Sequence, residues 1–145
     1  MRAIAAALAL AACGADDASS DDGSRCAADG RKDDYAPGLT KPAGTLSVTV
    51  AAARPGPPTQ GMNEITLAVT DGEGRAVADA RVAVTPVMPD HGHASARAPV
   101  VTPVGDGTYV VRELWLPMPG LWQLAIEVEA AGLREKAAFQ FCIDR

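Results

Sequence analysis

Both histidines of the 145-residue chain lie in one stretch, Pro86-Val87-Met88-Pro89-Asp90-His91-Gly92-His93-Ala94-Ser95. Imidazoles at i and i+2 share one side of an extended chain, and Gly92 allows the backbone to bend between them. Met88 sits three residues before His91, and Met118 lies in a second apolar loop, Leu116-Pro117-Met118-Pro119-Gly120. Thioether sulfur with imidazole is a soft donor set that suits copper, Cu(I) above all, and suits magnesium or calcium poorly. Zinc is the alternative ion, the imidazoles then being joined by Asp90. A reading without metal stands beside these. His-Gly-His also supplies turn geometry and a pH-sensitive surface, and methionines such as Met88 and Met118 fill gaps in apolar cores.

The elements that must position these residues are strands. From Thr45 onward, short β-rich runs alternate with Gly, Pro and Asp breaks, at the spacing of an all-β sandwich. Leu46, Val48 and Val50 alternate, as do Ile65, Leu67 and Val69, which end at the turn signal Asp71-Gly72-Glu73-Gly74. Val82 and Val84 share a face with Ala80; Tyr109 and Val111 follow the turn Gly105-Asp106-Gly107. Trp122, Leu124, Ile126 and Val128 alternate with more polar neighbours, and Phe139, Phe141 and Ile143 leave Cys142 on the opposite face. The expected fold is all-β, an immunoglobulin-like antiparallel β-sandwich of about seven strands, with Trp122 as a core anchor.

The N-terminus carries an address. Arg2 is a minimal positive region, residues 4–10 are a short apolar run, and Leu10-Ala11-Ala12-Cys13 places small residues before a cysteine in the manner of a bacterial lipobox. The run is too short to span a bilayer. The expectation is a lipoprotein signal over residues 1–12 and lipidation of Cys13; an ordinary secretory signal with an incidental cysteine is the alternative. Gly14, in the place where Asp would mark inner-membrane retention, directs the expected anchor to the outer membrane, facing the periplasm. Residues 13–44 are rich in Asp, Ser, Gly and Ala with few large apolar side chains, so they read as a disordered acidic tether before a domain over residues 45–145. Tyr35 and Leu39 are where that tether would dock.

Three cysteines are odd for an exported chain, but lipid on Cys13 leaves Cys26 and Cys142 as an even pair in an oxidising compartment. A bridge would tie the tether to the last strand; unpaired thiols or pairing with another chain are the alternatives. The formal charge of −5 and the absence of a basic stripe argue against nucleic acid as a partner. No Ser/His/acid order, phosphate loop or zinc-protease motif is visible, so no enzyme is expected.

Asp71-Gly72 through Val77, Ala80-Arg81-Val82, Met88-Pro89-Asp90-His91-Gly92-His93, Gly107-Thr108-Tyr109 and Met118-Pro119-Gly120-Leu121-Trp122 follow one another in the order seen in YtkA-like domains. The resemblance covers residues 46–143. It implies a small exported immunoglobulin-type sandwich, related in pattern to FixH-type proteins linked to copper supply for cbb-type oxidases and to domains that accompany metal-efflux adaptors. It also implies copper as the cargo of Met88, His91, His93 and Met118. FixH-type proteins carry a transmembrane helix that this sequence lacks. The expected function is therefore a lipid-anchored copper-binding module of the bacterial cell envelope, with a metal-transport or other envelope protein as partner. The alternative is a structural or interaction lipoprotein in which Trp115, Leu116, Leu121 and the prolines around Met118 form a partner-binding edge.

Overall fold

The computed structural model describes residues 22–144. The lipobox and Cys13 lie outside the described residues, as does the first part of the expected tether. Strand alternation dictates a two-layer architecture. A five-stranded sheet has the order β1 (Leu39–Ala43), β2 (Leu46–Arg54), β3 (Gly61–Thr70), β7 (Thr108–Leu116), β6 (Val100–Gly105). A four-stranded sheet has the order β5 (His93–Ala94), β4 (Arg81–Met88), β8 (Gly120–Ala130), β9 (Leu133–Ile143). All pairings are antiparallel. The inward residues are those the alternation selects: Val48 and Val50, Ile65 and Leu67, Val82 and Val84, Leu124 and Ile126, Phe139 and Phe141 are buried between the layers. Trp122 is wholly enclosed.

The strand count is nine rather than about seven. The three strands outside the six alternating runs named above, β1, β5 and β6, are peripheral and carry weak periodic signals. In β1, Lys41 and Pro42 obscure the alternation; β5 is a single residue pair; β6 is largely exposed. These strands meet the edge problem, since unpaired strand rims recruit other strands. Pro42 in β1, Pro86 in β4 and Pro103 in β6 each remove a backbone donor from an edge or near-edge strand. The rim of β9 is covered instead: Asp33 N donates to Gln140 O at 2.6 Å, and Gln140 N donates to Asp33 Oδ2 at 2.7 Å. Lys41 Nζ lies 2.7 Å from Asp33 Oδ1 and fixes the same carboxylate to β1.

That covering segment corrects the tether. The ordered body begins well before Thr45: a short helix α1 (Asp22–Ala27) packs on β8 and β9, and β1 is a member of the sandwich. Composition misleads here because the segment is held by few but strong contacts rather than by an apolar face. Cys26 is bridged to Cys142 across 116 residues of sequence, and Cys142 lies on the face of β9 opposite Phe141 and Ile143, as strand parity requires. Tyr35 docks as expected, its hydroxyl accepting from Ala53 N at 2.9 Å and its ring meeting Phe141 edge-on.

The turn before β7 shows why Gly107-Thr108-Tyr109 belongs together. Gly107 has φ +67°, and a Cβ there would sit 2.8 Å from Val69 O and 2.9 Å from Val77 N. This close approach lets Val69 N donate to Gly107 O at 2.8 Å. The next residue but one, Tyr109, buries its ring and donates its hydroxyl proton to Val77 O at 2.8 Å while accepting from Ala80 N at 3.2 Å. Burial pushes the phenol pKa above its ordinary value. The hydroxyl thereby pins the 77–80 loop that leads into β4.

Tyr109→Phe leaves the amide of Ala80 and the carbonyl of Val77 without this partner and is expected to cost about 1–2 kcal/mol, read as a lower urea midpoint at unchanged slope. Reduction of Cys26–Cys142 opens a loop of 116 residues and is expected to cost about 2–5 kcal/mol in the same assay, with cooperative unfolding retained.

Candidate metal-binding loop

The alternation of β4 delivers Met88 as its last inward residue, with 1% of its surface exposed. The chain then reverses tightly. Met88 O accepts from His91 N at 3.2 Å and from Gly92 N at 2.9 Å, and Gly92 takes φ +67° with open space around its α-carbon. His93 then pairs with Met88 across the ladder and Ala94 pairs with Val87. The His-Gly-His stretch is thus a turn and not the extended chain that i, i+2 geometry assumed. Glycine in the left-handed region is what allows it. Ser95 secures the far side, its amide donating to Pro86 O at 2.9 Å and its hydroxyl to Trp115 O at 2.8 Å in the other sheet.

The turn still brings the imidazoles together. The rings of His91 and His93 have centroids 5.7 Å apart and planes near perpendicular. A metal held at one nitrogen of each ring stands about 3 Å from each centroid, so two ligating imidazoles can be separated by up to about 6 Å. The observed spacing falls inside that limit. His93 Nδ1 lies 3.2 Å from Ala94 O, and since a carbonyl oxygen can only accept, a hydrogen bond here is donated by Nδ1 and keeps Nε2 outside this contact. Both histidines are solvent-exposed.

The sulfur donors are placed differently from one another. Met88 and His91 line a common cleft of about 130 Å³, whose other walls are Arg25, Cys26, Asp29, Asp90 and Leu121. His93 lies outside this cleft, against the edge of the Trp122 ring at 6.4 Å between centroids. Met118 is 36% exposed on the 117–119 loop. Two bonds hold that loop: Trp122 Nε1 donates to Met118 O at 2.9 Å, and Gln60 Nε2 donates to Pro117 O at 2.7 Å. Trp122 is therefore the common neighbour of His93 and Met118.

Asp90 is withdrawn from the ligand set proposed for zinc. Arg31 Nη1 and Nη2 each donate to it at 2.8 Å, and the same guanidinium donates to Asp29 through Nε at 3.0 Å and Nη2 at 2.6 Å. These bonds from Arg31 lower the Asp29 pKa to about 2 and hold the Asp90 carboxyl below its ordinary value. Sequence reasoning missed Arg31 and Asp29, since nothing local links residues 59 apart. Among the described residues, no group of three or more His, Cys, Asp and Glu could hold a metal ion. Donors here are imidazole and thioether, which fit a soft monovalent ion and not a hard divalent one. Leu116 and Leu121, candidates for an exposed partner edge, are buried, while Trp115 is half-buried opposite the exposed Met62.

Residues 43–127 match the model of the YtkA-like family. Comparison with curated proteins finds no match. Among solved structures, a DUF4426 family protein from Pseudomonas aeruginosa PAO1 is similar, with TM-score 0.52 and 16% identity over 74% of this chain and 99% of that one. At that identity the likeness is one of fold.

The lowered Asp29 pKa fixes the sign of an acid effect. The clamp with Arg31 contributes fully above the carboxylate's unfolded value of about 4 and is lost as pH falls towards about 2. Hydrogen exchange corrected for intrinsic rates should show protection of the Lys32 amide, which donates to Asp29 O, decline over this window while that of β8 persists.

Proposed function

The chain belongs to the YtkA-like family, and on that premise we propose that it is a lipid-anchored binding module of the bacterial cell envelope that holds or relays copper through its 88–93 hairpin. The observation that carries the reading is the gathering of imidazole and thioether donors at one hairpin turn. His91 and His93 stand at a spacing two ligands of one ion can adopt, and Met88 shares a cleft with His91. Copper, when bound, would supply the redox-active or transferable ion; the protein contributes a soft ligand set and no catalytic step. Met118 is an auxiliary donor on an exposed loop, suited to a transient contact during transfer.

Anchoring is proposed from the lipobox alone. Among the described residues no helix is long and apolar enough to cross a membrane. Acyl chains on Cys13 would hold the sandwich at the periplasmic face of the outer membrane, and the partner is then an envelope protein that delivers or accepts the ion.

Competition for Cu(I) against a chromogenic chelator tests the site. His91→Ala/His93→Ala is expected to lose about a hundredfold or more in affinity while cooperative unfolding is retained, since both side chains are exposed. Equal affinity in wild type and variant would leave a non-metal envelope module as the function. Cys13→Ser should release the protein from membranes and remove the lipid mass from the mature N-terminal peptide.

A further inference from the structure

The segment over residues 25–33 is fastened to the sandwich and lines the cleft that contains Met88. Its first attachment is covalent, Cys26 to Cys142 on β9. Its last is the backbone pairing of Asp33 with Gln140 on the same strand. Between them, the guanidinium of Arg31 grips Asp29 on the segment and Asp90 on the hairpin at once. Arg25, Cys26 and Asp29 of the segment line the cleft together with Met88, Asp90 and His91 of the hairpin.

We propose that residues 25–33 are a strap that controls access to the thioether of Met88, with Arg31 as the positioning residue that keeps it closed. The three attachments differ in strength, and that difference makes a gate. The disulfide and the β9 pairing hold the ends, whereas the clamp to Asp90 joins side chains about half exposed to solvent, where ion pairs are weak and reversible. Opening at Arg31 releases the clamp on Asp90 without detaching either end. Met88 is 1% exposed and lines this cleft, which is the route the strap would control for an incoming soft ion. For its consequence, controlled loading of a soft metal, the strap rests on the copper reading above; its existence does not.

Oxidation by dilute hydrogen peroxide reads the gate without any metal. Peroxide transfers one oxygen atom to the thioether, which becomes a sulfoxide, and is itself reduced to water. Met62 and Met118, 47% and 36% exposed, report the reagent's activity in the same sample. In the full chain with its disulfide intact, Arg31→Ala is expected to speed sulfoxide formation at Met88 about three- to fivefold relative to Met118, and Arg31→Lys to restore much of the protection. Cys26→Ser/Cys142→Ser, which frees one end, should speed it about tenfold. Amide exchange in β8 should be unchanged in Arg31→Ala. An unaltered Met88 rate in both variants overturns the strap, as does a rise in Arg31→Ala matched by faster exchange throughout β8, which would signify unfolding of the core. If Met88 responds but His91→Ala/His93→Ala leaves Cu(I) affinity intact, the strap stands and the copper reading fails. If Cu(I) binding is lost in that variant while Met88 is indifferent to Arg31→Ala and to Cys26→Ser/Cys142→Ser, the copper reading stands and the strap fails.

Discussion

An indole buried without a hydrogen-bond acceptor is costly, and Trp122 is fully enclosed between the two sheets. Its one polar atom finds the carbonyl of Met118, four residues earlier in the chain. The bond ties the 117–119 loop to the indole, and His93 meets the same ring in a T-shaped contact at 6.4 Å between centroids. A core requirement therefore organises the surface: the same side chain that fills the interior sets the path of one donor-bearing loop and supports the other.

The second constraint is the weak N-terminal segment. It has no apolar face with which to fold, yet it closes the β9 rim, bridges to Cys142 and reaches the hairpin through Arg31. Charge pairing at exposed positions contributes little individually, but here it is added to a covalent tie and to ladder hydrogen bonds that already localise the segment. Arg31 consequently meets Asp90 without the entropic cost of ordering a free chain. The site end of the molecule is built by parts that are far apart in sequence.

Much of the sandwich was legible from alternation. Val48, Ile65, Val82, Leu124 and Phe139 face inward because period-two patterning admits no other register that buries them. The same parity placed Cys142 outside the core, where Cys26 meets it. The peripheral strands β1, β5 and β6 were hidden because edge strands are protected by proline, lysine and shortness, the features that erase a strand signal. The turn at His91-Gly92-His93 was misjudged as extended since a glycine permits several paths, and only the ladder between Met88 and His93 selects one.

By itself the sequence determined the all-β class, the inward set, the even cysteine pair and the concentration of imidazole and thioether donors in two loops. Those properties reside in residue type and local spacing, which need no partner to be read. The tertiary structure decided which donors share a cleft, that Asp90 is held by Arg31 and that residues 22–44 belong to the folded body. Each of these depends on long-range juxtaposition, where a few directional contacts between distant residues outweigh what local composition favours.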